Sequence, residues 1–428
     1  MTTLTQQPTA IRRTRQLVIG AVGNAVEWFD WYVYSMLAVY FAGQFFPKST
    51  DESLTPLLST LAIFAVGFFM RPLGGLVIGG LADRYGRKRA LSMTIIGMGA
   101  GSLLIAVAPT YAQAGIAAPA ILLLARLIQG LSAGGEYAAA SSFVIESAPD
   151  HRRGFFSSFF YISATSANLA AIGISALLAN LLSNSQMTGW GWRIPFLLGS
   201  VAALAGLLVR RHAHETLDEE TTDRPGRGRR GFFDFLVRYP KQSLLVFGLT
   251  AAPGLTFYVW TAYLPTYASL TVDFDPKLGL TSGAIALTWF LLLQPILGVV
   301  SDRVGRRPML LVFGVFFAVA TVPMLGLLDG SFRSMLAVQL IGLTFLACWS
   351  SISSAVAAEL FPARFRSAGI GLPYAVSVAL FGGTGPYVAT WLVDQGRATW
   401  FPWYIALIAL GSTLVYLALP ETARKPLK

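Results

Sequence analysis

Twelve apolar runs punctuate this chain of 428 residues, at approximately 17–42, 57–82, 90–108, 119–146, 154–182, 192–211, 243–269, 280–301, 308–328, 333–359, 367–392 and 399–419. A run of about 20 apolar residues is long enough to cross a hydrocarbon core of roughly 30 Å as a helix. Inside lipid the backbone must satisfy its own hydrogen bonds, so a spanning run of that length is helical. The pattern predicts an all-α membrane protein with twelve transmembrane helices. Only 12% of the residues are charged, about half the fraction usual in a soluble globular chain.

Two loops carry one signature. Residues 79–91 read GGLADRYGRKRAL and residues 298–310 read GVVSDRVGRRPML, each after a membrane-length run. Other landmarks recur in the same order. Glu146-x-x-Pro149-x-x-x-Arg153 matches Glu359-x-x-Pro362-x-x-x-Arg366, Trp192-Arg193-Ile194-Pro195 resembles Trp400-Phe401-Pro402, and Glu215-Thr216 matches Glu421-Thr422. Collinear pairs of this kind imply a duplicated six-helix unit, the construction of many secondary transporters. The charged, Gly/Pro-marked segment 212–242 separates the copies. The expected organisation is a tail at 1–16, a six-helix bundle at 17–211, a linker at 212–242, a second bundle at 243–419 and a tail at 420–428.

The net charge of +11 invites a nucleic-acid reading, and its distribution argues against one. With the N-terminus inside, 25 of the 32 Lys and Arg fall on one side of the membrane. That is the positive-inside bias of a bacterial inner-membrane protein with both termini cytoplasmic. The first sixteen residues lack the features of a secretion signal. Cys348 stands alone, so no disulfide framework or thiolate metal cluster is expected, and His151, His212 and His214 sit in inner loops without metal-ligand spacing. No nucleophile–base set or nucleotide loop supports a membrane enzyme. A nutrient sensor would need a larger soluble domain than these loops offer.

The duplicated loop resembles the signature of the major facilitator superfamily. Gly23-Asn24-Ala25-Val26-Glu27-Trp28-Phe29-Asp30, Arg71-Pro72-Leu73-Gly74-Gly75 and the stretch Arg126-Leu127-Ile128-Gln129-Gly130 through Gly134-Gly135-Glu136-Tyr137 are similar to its metabolite:proton symporter branch. Gly191-Trp192-Arg193-Ile194-Pro195-Phe196, Gly371-Leu372-x-Tyr374-Ala375-Val376 and Phe381-Gly382-Gly383 most resemble bacterial α-ketoglutarate permeases. The resemblance implies a proton-coupled symporter that imports a small carboxylate by alternating access. It needs no cofactor beyond the proton gradient and works as a monomer in the bilayer. Citrate, shikimate, proline and betaine carriers share these motifs, so another organic acid or a zwitterionic osmolyte stays open as the solute.

Five charges fall at membrane depth: Glu27, Asp30, Arg71, Arg126 and Glu136. A charge there is costly and is a functional candidate by default. At about 1.5 Å per residue, Asp30 and Arg126 lie level, roughly 20 Å from the inner side, while Arg71 and Glu136 lie lower. The expected pairs are Asp30 with Arg126 and Arg71 with Glu136, the lower one either a static bridge or part of transport. In sugar carriers of the same superfamily a helix 1 aspartate and this motif's arginine form the proton-sensitive pair. The resemblance thus makes Asp30, with Glu27 beside it, the proton-coupling candidate. Arg126 and Arg71 are the carboxylate-binding candidates, with Tyr34, Trp260, Tyr263 and Gln294 as cavity candidates that packing alone would also explain. The loop residues Asp83, Arg84, Gly86, Arg87, Glu146 and Arg153, with Asp302, Arg303, Gly305, Arg306, Glu359 and Arg366, are expected to latch an inner gate. Topology control by positive charge is the alternative for them. Either aspartate can face a helix N-terminus of the opposite half, where the dipole favours an anion.

Overall fold

A computed structural model describes residues 10–47, 53–85, 87–134, 136–146, 148–211, 234–363, 365–425 and 427. Side chains are described from Asn24 onward, except at 79–80, 82–91, 136, 139–140, 143, 209–211 and 234–235. Gly86, the linker over 212–233 and the side chains of Asp83, Arg84, Arg87 and Glu136 therefore lie outside the described residues.

Every apolar run of the sequence falls on helix, and no strand occurs among the described residues. The helices are α1 (Ala10–Phe45), α2 (Thr55–Tyr85), α3 (Arg87–Val107), α4 (Ala117–Ala133, resuming as Glu136–Glu146), α5 (Arg153–Leu181) and α6 (Arg193–Arg211). They continue as α7 (Pro240–Tyr258, through a π turn at Val259–Tyr263 into Leu264–Val272), α8 (Pro276–Val304), α9 (Arg306–Leu325) and α10 (Phe332–Ser350, resuming as Ser353–Glu359). The last two are α11 (Arg366–Ser377, through Val378–Gly383 into Gly385–Asp394) and α12 (Trp400–Ala418). Among the described residues, eight helices are long and apolar enough to cross a membrane, or nine if the bent pair Asn184–Gly191 and Arg193–Leu208 is one span. Ser92–Val107 and Ala117–Ala133 are apolar but shorter, and α1 runs for 36 residues.

Helix α7 begins at Pro240 rather than at 243. Proline fits the first turn of a helix, where its missing N–H is no loss. The aspartate at 275 and the serine at 331 cap α8 and α10 by accepting N–H bonds from Lys277 and Ser334.

Small residues set the closest approaches. A Cβ at Gly130 would overlap the carbonyl oxygen of Gly67, and one at Gly134 that of Arg71. The G-x-x-x-G spacing of α4 thus lets its backbone touch that of α2, the usual use of small residues between membrane helices. This contact fixes Arg71 on α2 relative to Arg126 on α4. The helices before the linker face those after it through α5 against α8, α2 and α4 against α11, and α1 against the π turn of α7. At one crossing, a Cβ on Gly154 would stand 2.6 Å from the carbonyl oxygen of Gly298.

Candidate functional site

Helix α1 presents acids one turn apart, and each meets a different arginine. Arg126 Nη1 donates to Asp30 Oδ2 at 3.1 Å, with both groups buried. Ser102 Oγ of α3 donates to the other carboxylate oxygen, and Gln129 Nε2 donates to Ser102 Oγ at 3.3 Å. The Arg126 guanidinium stacks 3.7 Å over the Tyr34 ring, and Tyr34 gives its own hydroxyl hydrogen to the Thr60 carbonyl at 2.9 Å. Removing one partner from such a buried pair costs about 3–5 kcal/mol, because the other charge is left uncompensated.

The second arginine is arranged differently. Arg71 Nη2 lies 3.6 Å from Glu27 Oε1, and both side chains are buried. Its ion-pair partner among the described residues is thus Glu27, one helical turn before Asp30 on α1; the Glu136 side chain, expected as its partner, lies outside the described residues. The Arg71 guanidinium sits 4.2 Å over Phe68 and 4.4 Å over Trp31. Arg126 sits 4.9 Å over the same Trp31 ring. One buried indole therefore carries both cations, a favourable arrangement for each through the ring quadrupole.

Arg71 and Glu27 line a small cavity between the two sets of helices. Asn24, Trp28, Tyr137, Phe160 and, from the far side, Tyr374 complete its wall. Arg71 Nε and Nη2, the two nitrogens on one edge of the guanidinium, have no hydrogen-bond partner among the described residues. That edge is the fork with which arginine holds a carboxylate bidentately. Arg126, expected on the cavity, is not on its wall: Tyr34 and Asp30 cover it.

Aromatic side chains fill the rest of the interface. Tyr137 of α4 and Tyr374 of α11 stack with centroids 3.5 Å apart and planes within 5°. Trp28 packs on Phe257 and Tyr258 of α7 at 5.7 and 6.0 Å, and Tyr161 meets Trp349 at 5.3 Å. The cavity positions expected at Trp260 and Tyr263 are corrected. Trp260 turns into the second bundle, donating to the Val338 carbonyl at 3.2 Å against Phe317, and the Tyr263 hydroxyl bonds Thr390 Oγ1. Tyr267 is buried and donates to the Ala398 carbonyl at 3.1 Å. Gln294 does reach across the interface, donating to Thr165 Oγ1 of α5 at 2.9 Å. Sequence reasoning missed Tyr137 and Tyr374 as a pair and Ser102 and Gln129 as partners of Asp30. The signal was a tyrosine in each of two family motifs, and single polar residues within apolar runs.

At the end carrying the repeat loops, the second loop copy and its neighbours tie the halves together. Asp302 Oδ1 and Oδ2 accept the N–H groups of Gly154 and Phe155 at 2.8 and 2.9 Å. Its carboxylate thus sits on the N-terminus of α5, where the helix dipole stabilises an anion by up to about 1 kcal/mol. Arg306 bonds Asp302 at 2.9 Å and lies 3.7 Å from Glu359, and Arg153 lies 3.5 Å from that same Glu359 oxygen. Arg366 pairs with Glu146 at 2.6 Å. Arg303 is exposed and contributes its carbonyl, which accepts from Arg424 at 3.0 Å. Gly305 has φ of 113°, a conformation that favours glycine. The segment after α12, expected as a tail, docks here instead. Glu421 accepts from the backbone N–H of Arg306 and Arg307 at 2.9 and 3.0 Å, and the Lys425 carbonyl accepts from Arg153 at 2.7 Å.

This arrangement agrees with comparisons to known proteins. The family model described as sugar (and other) transporter matches residues 17–217 and 215–428. The chain is 41% identical to the alpha-ketoglutarate permease of Escherichia coli (strain K12) over 95% of its length and 94% of the relative's. It is 34% identical to a glycine betaine/proline/ectoine/pipecolic acid transporter of Dickeya dadantii (strain 3937), covering 97% of this chain and 85% of the relative. A crystal structure of a D-xylose–proton symporter shares the fold with a TM-score of 0.75 at 17% identity, over 96% of this chain and 99% of that one. A multi-pass helical chain matched over nearly its whole length belongs to the sugar (and other) transporter family of the major facilitator superfamily and is a transporter, not an enzyme.

Proposed function

We propose that this chain is a proton symporter of the bacterial cytoplasmic membrane that imports a small organic carboxylate, with α-ketoglutarate or a related dicarboxylate as the solute. The observation that carries this reading is Arg71: a buried guanidinium on the cavity wall whose Nε and Nη2 make no hydrogen bond among the described residues, with Glu27 3.6 Å from Nη2 as its ion-pair partner. A carboxylate satisfies both N–H groups and the charge at once. The name of the 41% identical relative supports the same solute class.

Asp30 is the coupling acid. When it is ionised, the Asp30–Arg126 pair is neutral as a unit. When it takes a proton, the pair carries one positive charge, which draws an anion toward Arg71 across the shared Trp31 ring. Ionisation of Asp30 on the cytoplasmic side removes that charge and favours release. Arg126 thus acts at a distance, from behind Tyr34, rather than as the solute's own counter-ion. The positive-inside distribution supports cytoplasmic termini. With that orientation, the network of Asp302, Arg306, Arg153, Glu359, Arg366 and Glu146 closes the cytoplasmic gate. No cofactor enters this scheme, and one chain suffices for it.

A second reading, uptake of a zwitterionic osmolyte, is favoured by the Glu27 carboxylate and the rings of Trp28, Tyr137 and Tyr374 around the cavity. These could hold an ammonium by ion pairing and cation–π attraction while Arg71 holds the carboxylate. Uptake into proteoliposomes with an imposed pH gradient separates the readings. Labelled α-ketoglutarate, citrate, proline and betaine are offered in parallel, and concentrative uptake of a carboxylate but not of betaine or proline is expected. Accumulation of betaine or proline alone would overturn the carboxylate reading.

A further inference from the structure

We propose that Glu27 is a second proton acceptor, so that a dicarboxylate crosses with two protons, one on Glu27 and one on Asp30. The inference rests on the carboxylate reading above and extends it to stoichiometry. Its basis is the pairing of charges. Each acid of α1 has its own arginine, Glu27 with Arg71 at 3.6 Å and Asp30 with Arg126 at 3.1 Å. All four groups are buried, and with both acids ionised the two pairs together carry no net charge. A dianion entering this low-dielectric region adds two negative charges, and uncompensated charge there is expensive. One proton on Asp30 offsets one of them. The other must be offset where the solute binds, and Glu27 is the carboxylate on that cavity wall.

Geometry favours Glu27 for this task. Its contact with Arg71 is a 3.6 Å ion pair to Nη2 rather than a hydrogen bond, and neither Nε nor Nη2 of that guanidinium makes a hydrogen bond among the described residues. A solute carboxylate can therefore take over the guanidinium as Glu27 lets go of it. Among the described residues, the titratable and charged groups that face Glu27 include Arg71 of α2, Tyr137 of α4, Tyr258 of α7 and Tyr374 of α11. Of these groups Arg71 carries the charge, and the solute competes with Glu27 for it. The step is a proton transfer alone. A proton from the outer aqueous side adds to a Glu27 carboxylate oxygen as the solute binds, and it leaves to the cytoplasm as the solute is released. A monocarboxylate needs the Asp30 proton only.

The test is the balance point of transport in proteoliposomes holding the full-length chain. A gradient of α-ketoglutarate is set against an imposed pH gradient, with the membrane potential clamped by potassium and valinomycin. Net flux should vanish at a coupling of two protons per α-ketoglutarate in the parent, and at one proton per pyruvate. Glu27→Gln, which resembles the protonated acid, should balance at one proton per α-ketoglutarate while still exchanging labelled for unlabelled solute. A parent that balances at one proton per α-ketoglutarate overturns the inference, whatever the variant does. So does a Glu27→Gln protein that still balances at two. If the variant does not fold, the parent's own value decides. Absence of any carboxylate flux, with betaine or proline accumulated instead, would sink the underlying carboxylate reading, and is distinct from carboxylate flux with the wrong coupling.

Discussion

Asp30→Asn should tighten solute binding while abolishing concentrative uptake. The amide has the shape of the protonated acid but cannot cycle a proton. It leaves Arg126 with its charge uncompensated, and that charge acts on an anion held at Arg71. The separation of the two guanidinium groups, bounded by the shared ring, sets the scale of that distance. Both guanidinium carbons lie over Trp31, at 4.4 and 4.9 Å from its centre, so they are at most about 9 Å apart. At an effective dielectric constant of about 20, two unit charges roughly 9 Å apart interact by about 1.8 kcal/mol. That corresponds to about a 20-fold change in affinity at 1.36 kcal/mol per decade. Calorimetric titration of the purified protein with α-ketoglutarate, at pH values from 5 to 8, measures it. Parent binding should strengthen as pH falls, because protonating Asp30 adds positive charge near the anion. The Asp30→Asn protein should bind as tightly as the protonated parent over the whole range, losing the part of the pH dependence that belongs to this acid. Equal or weaker binding than the parent at pH 8, with the parental pH slope kept, would refute the electrostatic link between the two sites. A thermal-unfolding control is needed, because breaking the buried pair destabilises the protein by about 3–5 kcal/mol.

Other expectations follow from the same contacts. Arg71→Lys keeps the charge but loses the fork, so affinity for a carboxylate should fall by about one to two decades, read by the same titration; unchanged affinity would place the solute elsewhere. Gly154→Ala puts a methyl group 2.6 Å from the Gly298 carbonyl oxygen, an overpacking worth about 1–3 kcal/mol. It should shift the population toward states open at the repeat-loop end, seen as faster labelling of a cysteine placed at Ser353 by an impermeant thiol reagent in inverted vesicles. Glu421 feels burial, which raises its pKa, but the N–H groups of Arg306, Ala423 and Arg307 outweigh that and hold it below the usual carboxylate range. Its contribution is therefore present above the unfolded pKa and is lost as pH falls through the folded value. Glu421→Gln should weaken the start of α9 and flatten the acid limb of a stability-against-pH curve between roughly pH 3 and 5.

How much of this was readable in advance depends on which coordinate of a helix is asked about. Position along the axis follows from counting residues, because a helix rises by a fixed amount per residue. So the twelve apolar runs fall on helices, and the repeat of Asp83 at Asp302 marks equivalent loops. The same count put Asp30 level with Arg126, and these two are 3.1 Å apart. Direction around the axis and the order of helices are not in the count. That Arg71 meets Glu27 was not in the count, because the contact of Gly134 with the Arg71 carbonyl sets how α2 and α4 are rotated against each other; the Glu136 side chain lies outside the described residues. Trp260 and Tyr263 sit on an aromatic stripe that hydropathy cannot orient, and the π turn at Val259–Tyr263 rotates them into their own bundle, leaving Phe257 and Tyr258 to face Trp28. The sequence by itself determined that this chain spans a membrane as two related sets of helices with a few buried charges. Only the tertiary structure decided which acid meets which arginine, and that Arg71 rather than Arg126 lines the cavity, because those facts depend on helix rotation fixed by close packing of small residues far apart in the chain.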